Sequence, residues 1–148
     1  MEKRNRGFER VAGFAHVLLP ERKTAFSAGY DIAAAEDIIL EAGSVTLVPT
    51  GLKAYMQEDE YLGIHIRSSI AIKHQLSLIN GQGIIDADYY NNSDNEGHIM
   101  IAIMNHAKIA VKLEKNMRIA QGIFVKYLQI DADRAQAIRT GGMGSTGK

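Results

Sequence analysis

Hydrophobic and polar residues alternate along much of this chain, and the alternation predicts β-strands. The segment YLGIHIR (61–67) places its aliphatic side chains on one face. In HIMIAIMN (98–105) isoleucines line one face and methionines and alanine the other, which is typical of a strand covered on both sides. RIAQGIFVKYLQI (118–130) predicts a long strand, with Gly122 as a candidate bulge.

The remaining pattern adds short strands and very little helix. SVTLVPTGLKAYM (44–56) predicts two short strands with a break at Pro49–Gly51. SSIAIKH (68–74) predicts one or two helical turns, with Ser68 or Ser69 as the N-cap. Many short strands joined by turns favour an all-β fold, either a barrel or a sandwich.

The end of the chain has a different composition. RTGGMGSTGK (139–148) contains four glycines, and Met143 is its one sizeable apolar residue. Such a segment buries too little surface to order itself, which is typical of a mobile tail. We therefore predict a single domain over residues 1–138, followed by a mobile glycine-rich arm over residues 139–148.

Composition and charge exclude several classes of function. The 148 residues include 17 Lys and Arg and 17 Asp and Glu, so a broad basic field for nucleic acid or membrane surfaces is not expected. The chain has no cysteine, which excludes disulfides and thiolate metal sites and suits a cytoplasmic protein. We find neither a signal-peptide pattern nor a transmembrane-length apolar segment.

The stretch NGQGIIDADYYNN (80–92) is the first candidate for chemistry. Asp86 directly follows two isoleucines, and a carboxylate beside apolar residues is costly to ionise and can be tuned as a base. The neighbouring glycines let the backbone approach a ligand closely. An ordinary β-turn with a capping aspartate explains the same residues, and taken alone it is favoured.

Two further stretches carry polar groups at the ends of predicted elements. AGYDIAAAED (28–37) places Asp31 at the entry of a strand, where an ordinary turn aspartate is the alternative. RSSIAIK (67–73) puts an arginine and two hydroxyls at a helix start, which would form a compact anion site. Simple N-capping accounts for the serines equally well.

Other motifs are weaker on their own. In RIAQ (118–121) the odd separation puts Arg118 and Gln121 on opposite faces of a strand. Arg139 followed by GGMGSTG resembles flexible phosphate-cradling loops, although it is not a Walker A motif. The five histidines show no metal-ligand spacing, and no pattern indicates a covalent nucleophile.

In order, AGYDIAAAED, RSSIAIK, NGQGIIDADYY, RIAQGIF and GGMGSTG resemble the five motifs of the trimeric deoxyuridine triphosphatases (dUTPases), and the match spans residues 28–147. The resemblance implies a jelly-roll-like, distorted β-barrel protomer and a homotrimer whose active sites draw on several subunits. It also implies Mg²⁺-dependent hydrolysis of dUTP to dUMP and pyrophosphate, which keeps uracil out of DNA, with the C-terminal arm closing over a site.

The resemblance assigns roles around the nucleoside. Asp86 corresponds to the general base that activates water for attack on the α-phosphorus. Asn80 corresponds to the residue that hydrogen-bonds uracil, and Tyr89 to the one that packs on deoxyribose and leaves no room for a 2′-hydroxyl. The remaining residues implied at the base site are Gly83, Ile84, Ile85 and Met100, the last through its main chain.

It also assigns residues around the triphosphate. The implied phosphate binders are Arg67, Ser68, Ser69 and Gln121. In the arm, Arg139 corresponds to the clamp on the γ-phosphate. The other implied arm contacts are Met143, Gly144, Ser145 and Thr146. Asp31 corresponds to the carboxylate that reaches Mg²⁺ through water, while the ion is held mainly by the substrate phosphates.

The chain departs from the family pattern at three places. The spacer after Arg139 is one residue short, and Met143 replaces the aromatic residue that stacks on uracil. A thioether covers less of the ring than an aromatic side chain, which predicts weaker arm closure. After Tyr89, residues 90–97 replace the usual Arg-Gly with a longer hairpin tip, for which a partner surface is one hypothesis.

Two alternatives to dUTP hydrolysis remain from the sequence. A dCTP deaminase or bifunctional deaminase of the same fold needs a glutamate base near the pyrimidine amino group, and Glu96 is the nearby candidate. A regulatory protein of this fold would engage an unknown protein partner through the 90–97 loop and the arm. The intact Asp86 favours catalysis, and the dUTPase interpretation explains all five motifs.

Overall fold

Strands dominate the described part of the chain, which comprises residues 3–144 and 146 of a computed structural model. One helix, α1 (Ser68–His74), and one 3-10 turn (Ala87–Tyr89) interrupt them. The strands in chain order are β1 (Gly7–Arg10), β2 (Tyr30–Ala33), β3 (Ile38–Leu40), β4 (Val45–Pro49), β5 (Leu52–Tyr55), β6 (Glu60–Ile66), β7 (Leu76–Leu78), β8 (Gly83–Asp86), β9 (Met100–Asn105), β10 (Val111–Leu113) and β11 (Arg118–Lys126). The predicted all-β class is confirmed.

The strands pair into four antiparallel sheets within the described residues, rather than one closed barrel. The largest has the order β2-β11-β6-β8, and a three-stranded sheet has the order β4-β9-β7. Two ribbons, β1-β5 and β10-β3, complete the set. This arrangement agrees with the expected distorted jelly roll, because strands distant in sequence are neighbours in each sheet.

The core lies beneath the inward faces of these sheets, and β9 illustrates the alternation that builds it. Its isoleucines are buried, whereas Ala102 and Met104 are only partly covered on the opposite face. The register places Leu47 opposite Ala102 and Val45 opposite Met104. Both β4 side chains are about half exposed, at 47% and 49%. An apolar outer face therefore remains on this sheet, and the predicted cover is present on one side only.

Two local predictions are wrong. Helix α1 has Arg67 as its N-cap and makes no side-chain cap bond, so neither Ser68 nor Ser69 caps it. Gly122 is not a bulge, because it pairs regularly with Ile64, and the irregularity of β11 lies earlier in the strand. A Cβ there would lie 3.0 Å from a Leu62 methyl carbon, so that side chain would have to shift.

The ends of the long strands are close to those predicted. The segment predicted at 61–67 is β6, which begins one residue earlier, at Glu60. The segment predicted at 118–130 is β11, which begins at Arg118 as predicted but ends at Lys126. Over residues 3–144 and 146, no helix has the length and apolar character needed to cross a membrane.

Candidate active site

The site is built around β8, an edge strand that carries the candidate base. In its register with β6, Gly83 lies opposite Ile64 and Asp86 opposite Tyr61. A Cβ on Gly83 would approach the Ile64 Cβ to 3.1 Å, so the glycine permits close pairing of the two strands. The 3-10 turn that follows Asp86 then directs Tyr89 inwards, where its ring is buried.

One cavity collects the residues assigned to the nucleoside. It has a volume of about 250 Å³. Its lining residues are Asn80, Gly83, Ile84, Ile85, Asp86, Tyr89, Met100, Arg139, Met143, Gly144 and Thr146. We call it the base pocket. The sequence-predicted residues of the hairpin and of the arm are thus brought together, while Ser145 lies outside the described residues.

Tyr89 forms a fixed wall of the base pocket. Its hydroxyl donates to the carbonyl oxygen of His98 at 2.7 Å and accepts a hydrogen bond from the Asn95 amide nitrogen at 2.9 Å. Only 6% of the residue is exposed. A phenol held at both its ring and its hydroxyl cannot move aside, which suits a steric wall.

Arg139 brings the C-terminal arm onto the hairpin. Its Nη2 donates to Oδ2 of Asp86 at 2.7 Å, and its Nε donates to Oδ1 of Asp88 at 2.8 Å. The guanidinium carbon also lies 5.6 Å from the centre of the Tyr89 ring, within cation–π range. The arginine side chain is 7% exposed, so two carboxylates and a ring enclose its charge.

The apolar neighbours of Asp86 in the sequence do not enclose its carboxylate. Its side chain is 51% exposed, and the neighbouring Ile84 points outwards with 58% of its surface accessible. Alternation along an edge strand explains this, because Ile84 and Asp86 are two residues apart and share the outward face, whereas Ile85 faces the other side. The carboxylate is therefore open to water, which a base for water activation must reach.

A second cavity collects the residues assigned to the phosphates. Its volume is about 460 Å³. Its lining residues are Lys23, Ser27, Gly29, Asp31, Arg67, Ser68, Ser69, Arg118 and Gln121. We call it the phosphate pocket. Sequence reasoning missed Lys23 as a site residue, although a cation close to the Asp31 motif was a usable signal.

The prediction that Arg118 and Gln121 face opposite ways is wrong, since both line the phosphate pocket. Arg118 pairs with Ala33 and Ala120 with Ile32, so two steps along β11 correspond to one along β2. This β-bulge inserts an extra residue and restores the two side chains to one side. The alternation rule failed because it assumed a regular strand.

Asp31 joins the two arginines of the phosphate pocket. Its Oδ2 accepts a hydrogen bond from Arg118 Nη1 at 3.0 Å, and its Oδ1 lies 4.0 Å from Arg67 Nε. The carboxylate is only 17% exposed. It therefore holds the Arg118 guanidinium by a hydrogen bond and lies beside Arg67, while the pocket keeps an excess of positive charge.

The donor set offers little for a metal ion on its own. Within residues 3–144 and 146, no group of three or more His, Asp or Glu side chains is arranged to hold one. The phosphate pocket supplies one carboxylate, that of Asp31, which is engaged with Arg118. A hard cation at this place fits only if most of its oxygen ligands come from a bound phosphate and from water.

The candidate base and the candidate phosphate donor Arg67 lie far apart within one chain. Asp86 is opposite Tyr61 near one end of β6, whereas Arg67 follows the other end, six residues along. At about 3.3 Å per residue, this separation is roughly 20 Å. Among the described residues the pockets share no lining side chain. A single protomer therefore cannot bring Asp86 and Arg67 to the same phosphorus atom.

Glu96, the glutamate on which the deaminase alternative depends, is engaged elsewhere. Its carboxylate accepts from Lys53 Nζ at 2.8 Å and from the Ala12 backbone N–H at 3.3 Å. The hydrogen bond from Lys53 lowers the pKa of Glu96. Glu96 also does not line the base pocket. An ionised carboxylate fixed to another strand cannot serve as a base for a pyrimidine in that pocket.

Comparisons with known proteins indicate a single family. Residues 15–147 match the family model described as dUTPase. The chain is similar to a deoxyuridine 5′-triphosphate nucleotidohydrolase of Lactococcus lactis subsp. lactis, with 49% identity over 146 residues that cover 96% of this chain and 97% of the relative. It also resembles the crystal structure of a dUTPase from Streptococcus mutans, with 48% identity, a TM-score of 0.83 and coverage of 85% and 99% of the two chains.

A more distant solved structure shares the fold. A mutant dUTPase from phage phi11 of S. aureus has a TM-score of 0.73 at 19% identity and covers 91% of this chain and 99% of its own. That protein is described with a structural Mg(II) ion.

Proposed function

The chain belongs to the dUTPase family and hydrolyses dUTP, and we propose that Asp86 is the base of this reaction. In this role the Asp86 carboxylate accepts a proton from water, and the resulting hydroxide attacks the α-phosphorus in line with the leaving pyrophosphate. The observation that carries this role is the position of a half-exposed carboxylate at the mouth of the base pocket, beside Tyr89.

Recognition of the deoxyuridine follows from the walls of the base pocket. We assign Asn80 and the main chain at Met100 to the polar edge of uracil, and the Tyr89 ring to deoxyribose. The double hydrogen bonding of the Tyr89 hydroxyl supports this, because a wall that cannot retreat excludes a 2′-hydroxyl. A site with fixed polar groups also rejects cytosine, whose donors and acceptors would be left unpaired.

The triphosphate is assigned to the phosphate pocket. Arg67, Arg118 and Gln121 supply donors there, with the Ser68 and Ser69 hydroxyls at its edge. We propose that Mg²⁺ enters with the triphosphate, with Asp31 reaching it through water, and supplies charge neutralisation. The single carboxylate in the pocket supports an ion carried by substrate rather than by a protein cage.

We further propose a homotrimer in which each site combines the base pocket of one protomer with the phosphate pocket of another. The separation of roughly 20 Å between Asp86 and Arg67 along β6 supports this, because one phosphorus atom cannot be reached by both residues of a single chain. The apolar outer face around Val45 and Leu47 supports an association that covers it. The arm, residues 139–148, completes the base pocket and Arg139 binds the γ-phosphate.

The activity is tested by measuring pyrophosphate release from dUTP, dTTP, dCTP and UTP, each with and without Mg²⁺. Of the four nucleotides, we expect only dUTP to give rapid pyrophosphate release, and we expect this rate to depend strongly on Mg²⁺. Equal rates with UTP would remove the role assigned to Tyr89, and ammonia release from dCTP would restore the deaminase alternative.

The shared site is tested by mixing two inactive variants. Asp86→Asn removes the base and Arg67→Ala removes a phosphate donor, so each homotrimer has only defective sites. When subunits mix randomly in equal amounts, about a quarter of the sites combine two intact halves, and activity should recover to about that fraction. No recovery after confirmed subunit exchange would show that each site belongs to one chain.

A further inference from the structure

We propose that Ser93, Asp94 and Asn95 are positioning residues that dock the C-terminal arm over the base pocket. They form the tip of the loop between the 3-10 turn and β9, in the segment where the chain departs from the family pattern. We call these three residues the docking tip. The proposal gives this longer loop a partner within the protein itself.

The docking tip is held by hydrogen bonds within the loop. The buried Asn92 accepts the backbone N–H groups of Asp94 and Asn95 at 3.0 and 3.1 Å through its Oδ1. Its Nδ2 donates to the carbonyl oxygen of Tyr89 and to Asn95 Oδ1, both at 2.8 Å. The loop shape is therefore fixed by its own side chains and does not depend on the arm.

Charged contacts fasten both flanks of the loop to the body of the protein. Lys53 Nζ donates to Asn91 Oδ1 at 2.6 Å and to Glu96 Oε2 at 2.8 Å, on the two sides of the tip. Tyr90 donates its hydroxyl to the Glu9 carboxylate, which lowers the pKa of Glu9. The tip is thus a rigid projection beside the wall formed by Tyr89.

The arm contacts this projection through its backbone. Ser93 Oγ donates to the carbonyl oxygen of Thr140 at 2.6 Å, and the Gly142 N–H donates to Asp94 Oδ2 at 3.3 Å. Gly142 is buried against Asn95, and a Cβ there would lie 2.9 Å from the Asn95 amide nitrogen. Because these contacts use main-chain atoms, they select the path of the arm rather than its side chains.

This path determines where the Arg139 guanidinium lies. Its Nη1 donates to the carbonyl oxygen of Gly142 at 3.2 Å, so the turn gripped by the docking tip also holds the arginine. The same guanidinium reaches Asp86 and Asp88. The spacer after Arg139 is one residue short, yet Arg139 still lies at the base pocket, because the longer 90–97 loop extends far enough to contact the arm.

Docking is tested by limited trypsin digestion of the full-length protein without nucleotide. Arg139 is enclosed, whereas Arg134 is exposed on the same segment and serves as an internal reference. Mass spectrometry gives the initial rate of cleavage after Arg139 relative to that after Arg134. In Ser93→Ala/Asp94→Ala, loss of two hydrogen bonds should raise this ratio about tenfold.

Three variants control this measurement. Asp94→Asn keeps an oxygen acceptor for the Gly142 N–H, so paired with intact Ser93 it should retain the wild-type ratio. Asp37→Ala is a control at a site remote from the arm. It removes a carboxylate that accepts a hydrogen bond from the Lys115 N–H at 2.8 Å, and it should also leave the ratio unchanged. Gly142→Ala places a Cβ against Asn95 from the arm side, without any change in the loop sequence, and should raise the ratio.

The kinetic consequence rests on the proposed role of the arm in nucleotide binding. We expect KM for dUTP to rise about tenfold in Ser93→Ala/Asp94→Ala, because closure of the arm must then offset the lost bonds. Turnover at saturation should stay within about twofold, as the base is untouched. The control variant Asp94→Asn should keep the wild-type KM for dUTP.

The outcomes separate docking from function. An unchanged cleavage ratio in both the loop variant and Gly142→Ala overturns the proposal. A raised ratio with unchanged KM supports docking and instead contradicts the role proposed for the arm in binding dUTP. Capture of a separate protein by the exposed tip, with no change in the ratio, would favour a partner surface and overturn docking.

Discussion

The Arg139 guanidinium and the Asp86 carboxylate form an ion pair, with Nη2 of one 2.7 Å from Oδ2 of the other. The same guanidinium is the proposed clamp for the γ-phosphate, and the same carboxylate is the proposed base. Because Asp86 is half exposed, such a pair contributes about 1 kcal/mol or less. A triphosphate, with its greater charge, can therefore take the arginine from Asp86 at small cost.

Replacing the base tests this pairing directly. Asp86→Asn should reduce kcat by about a thousandfold, since an amide cannot accept the proton from water. Binding of a non-hydrolysable dUTP analogue should remain within a few-fold of wild type. Asp88→Asn is the matched control, because Asp88 contacts the same arginine at 2.8 Å and has no role in proton transfer. Equal losses in both variants would assign the effect to Arg139.

Removal of the arm should abolish closure without disturbing assembly. Truncation after Ile138 is expected to lower kcat/KM by about a hundredfold, because Arg139 and the cover of the base pocket are lost together. Gel filtration should still give a trimer, since the apolar sheet face lies on β4 and β9. Removal of Lys148 alone is the control and should leave activity unchanged.

Met143 is expected to limit how tightly the arm closes. It lines the base pocket with 57% of its surface exposed. Met143→Phe should lower KM for dUTP by about fivefold, because a ring stacks on uracil over a larger area than a thioether. Met143→Leu, which changes shape without adding a ring, should leave KM close to wild type. A KM that stays the same or rises with phenylalanine would contradict this explanation of the substitution.

Gly29 should be essential for the position of Gln121. A Cβ at residue 29 would lie 2.2 Å from Gln121 Oε1 and 3.0 Å from its Cβ, so the glutamine must move. Gly29→Ala is therefore expected to raise KM for dUTP. The double variant Gly29→Ala/Gln121→Ala should be no worse than Gln121→Ala alone, because alanine removes the Oε1 atom that the new Cβ would overlap and leaves only the approach to the Cβ of residue 121. An additive loss would indicate a different cause.

The stability of the fold should decrease on mild acidification through His98. Its Nε2 accepts the Gly51 N–H at 2.9 Å, and burial lowers its pKa below the usual 6.5, although Glu96 and Glu36 act in the opposite direction. Below about pH 6.5, His98 of the unfolded chain binds a proton that His98 of the folded chain does not. As the pH is lowered, the free energy of unfolding therefore falls until the pH reaches the pKa of His98 in the folded chain.

Urea unfolding measured across pH 4.5–8 checks this sign, and two substitutions isolate the residue. In His98→Gln an amide oxygen can replace the ring acceptor, so the part of the decrease that begins near pH 6.5 should disappear. His74→Gln, on helix α1, should retain it. A wild-type profile that is flat from pH 7 to 5 would be inconsistent with a buried, neutral His98.

Much of the fold could be predicted because its strands have regular alternation. The segments that became β6 and β9 carry aliphatic residues at every second position, and burial of most of them fixed their register. The grouping of Asn80, Asp86 and Tyr89 with the arm was implied by the resemblance to the dUTPase motifs, and these residues line the base pocket together. These features depend on short, local patterns.

The features that were missed depend on contacts between distant segments. No local pattern indicated that Arg139 would lie between Asp86 and Asp88, or that Glu96 would bind Lys53. The exposure of Asp86 could not be predicted from its apolar neighbours, because it results from the edge position of β8 in the sheet. Pairing partners determine such properties, and a single sequence does not display them.

The bulge between Arg118 and Ala120 makes the phosphate pocket sensitive to chain length. One residue inserted or deleted just before Gln121 would rotate either the glutamine or the arginine to the opposite side of the sheet. Most side-chain replacements at Ile119 would alter packing alone, whereas a change in length there would separate two phosphate donors. The phosphate pocket should therefore tolerate substitutions in β11 far better than insertions or deletions.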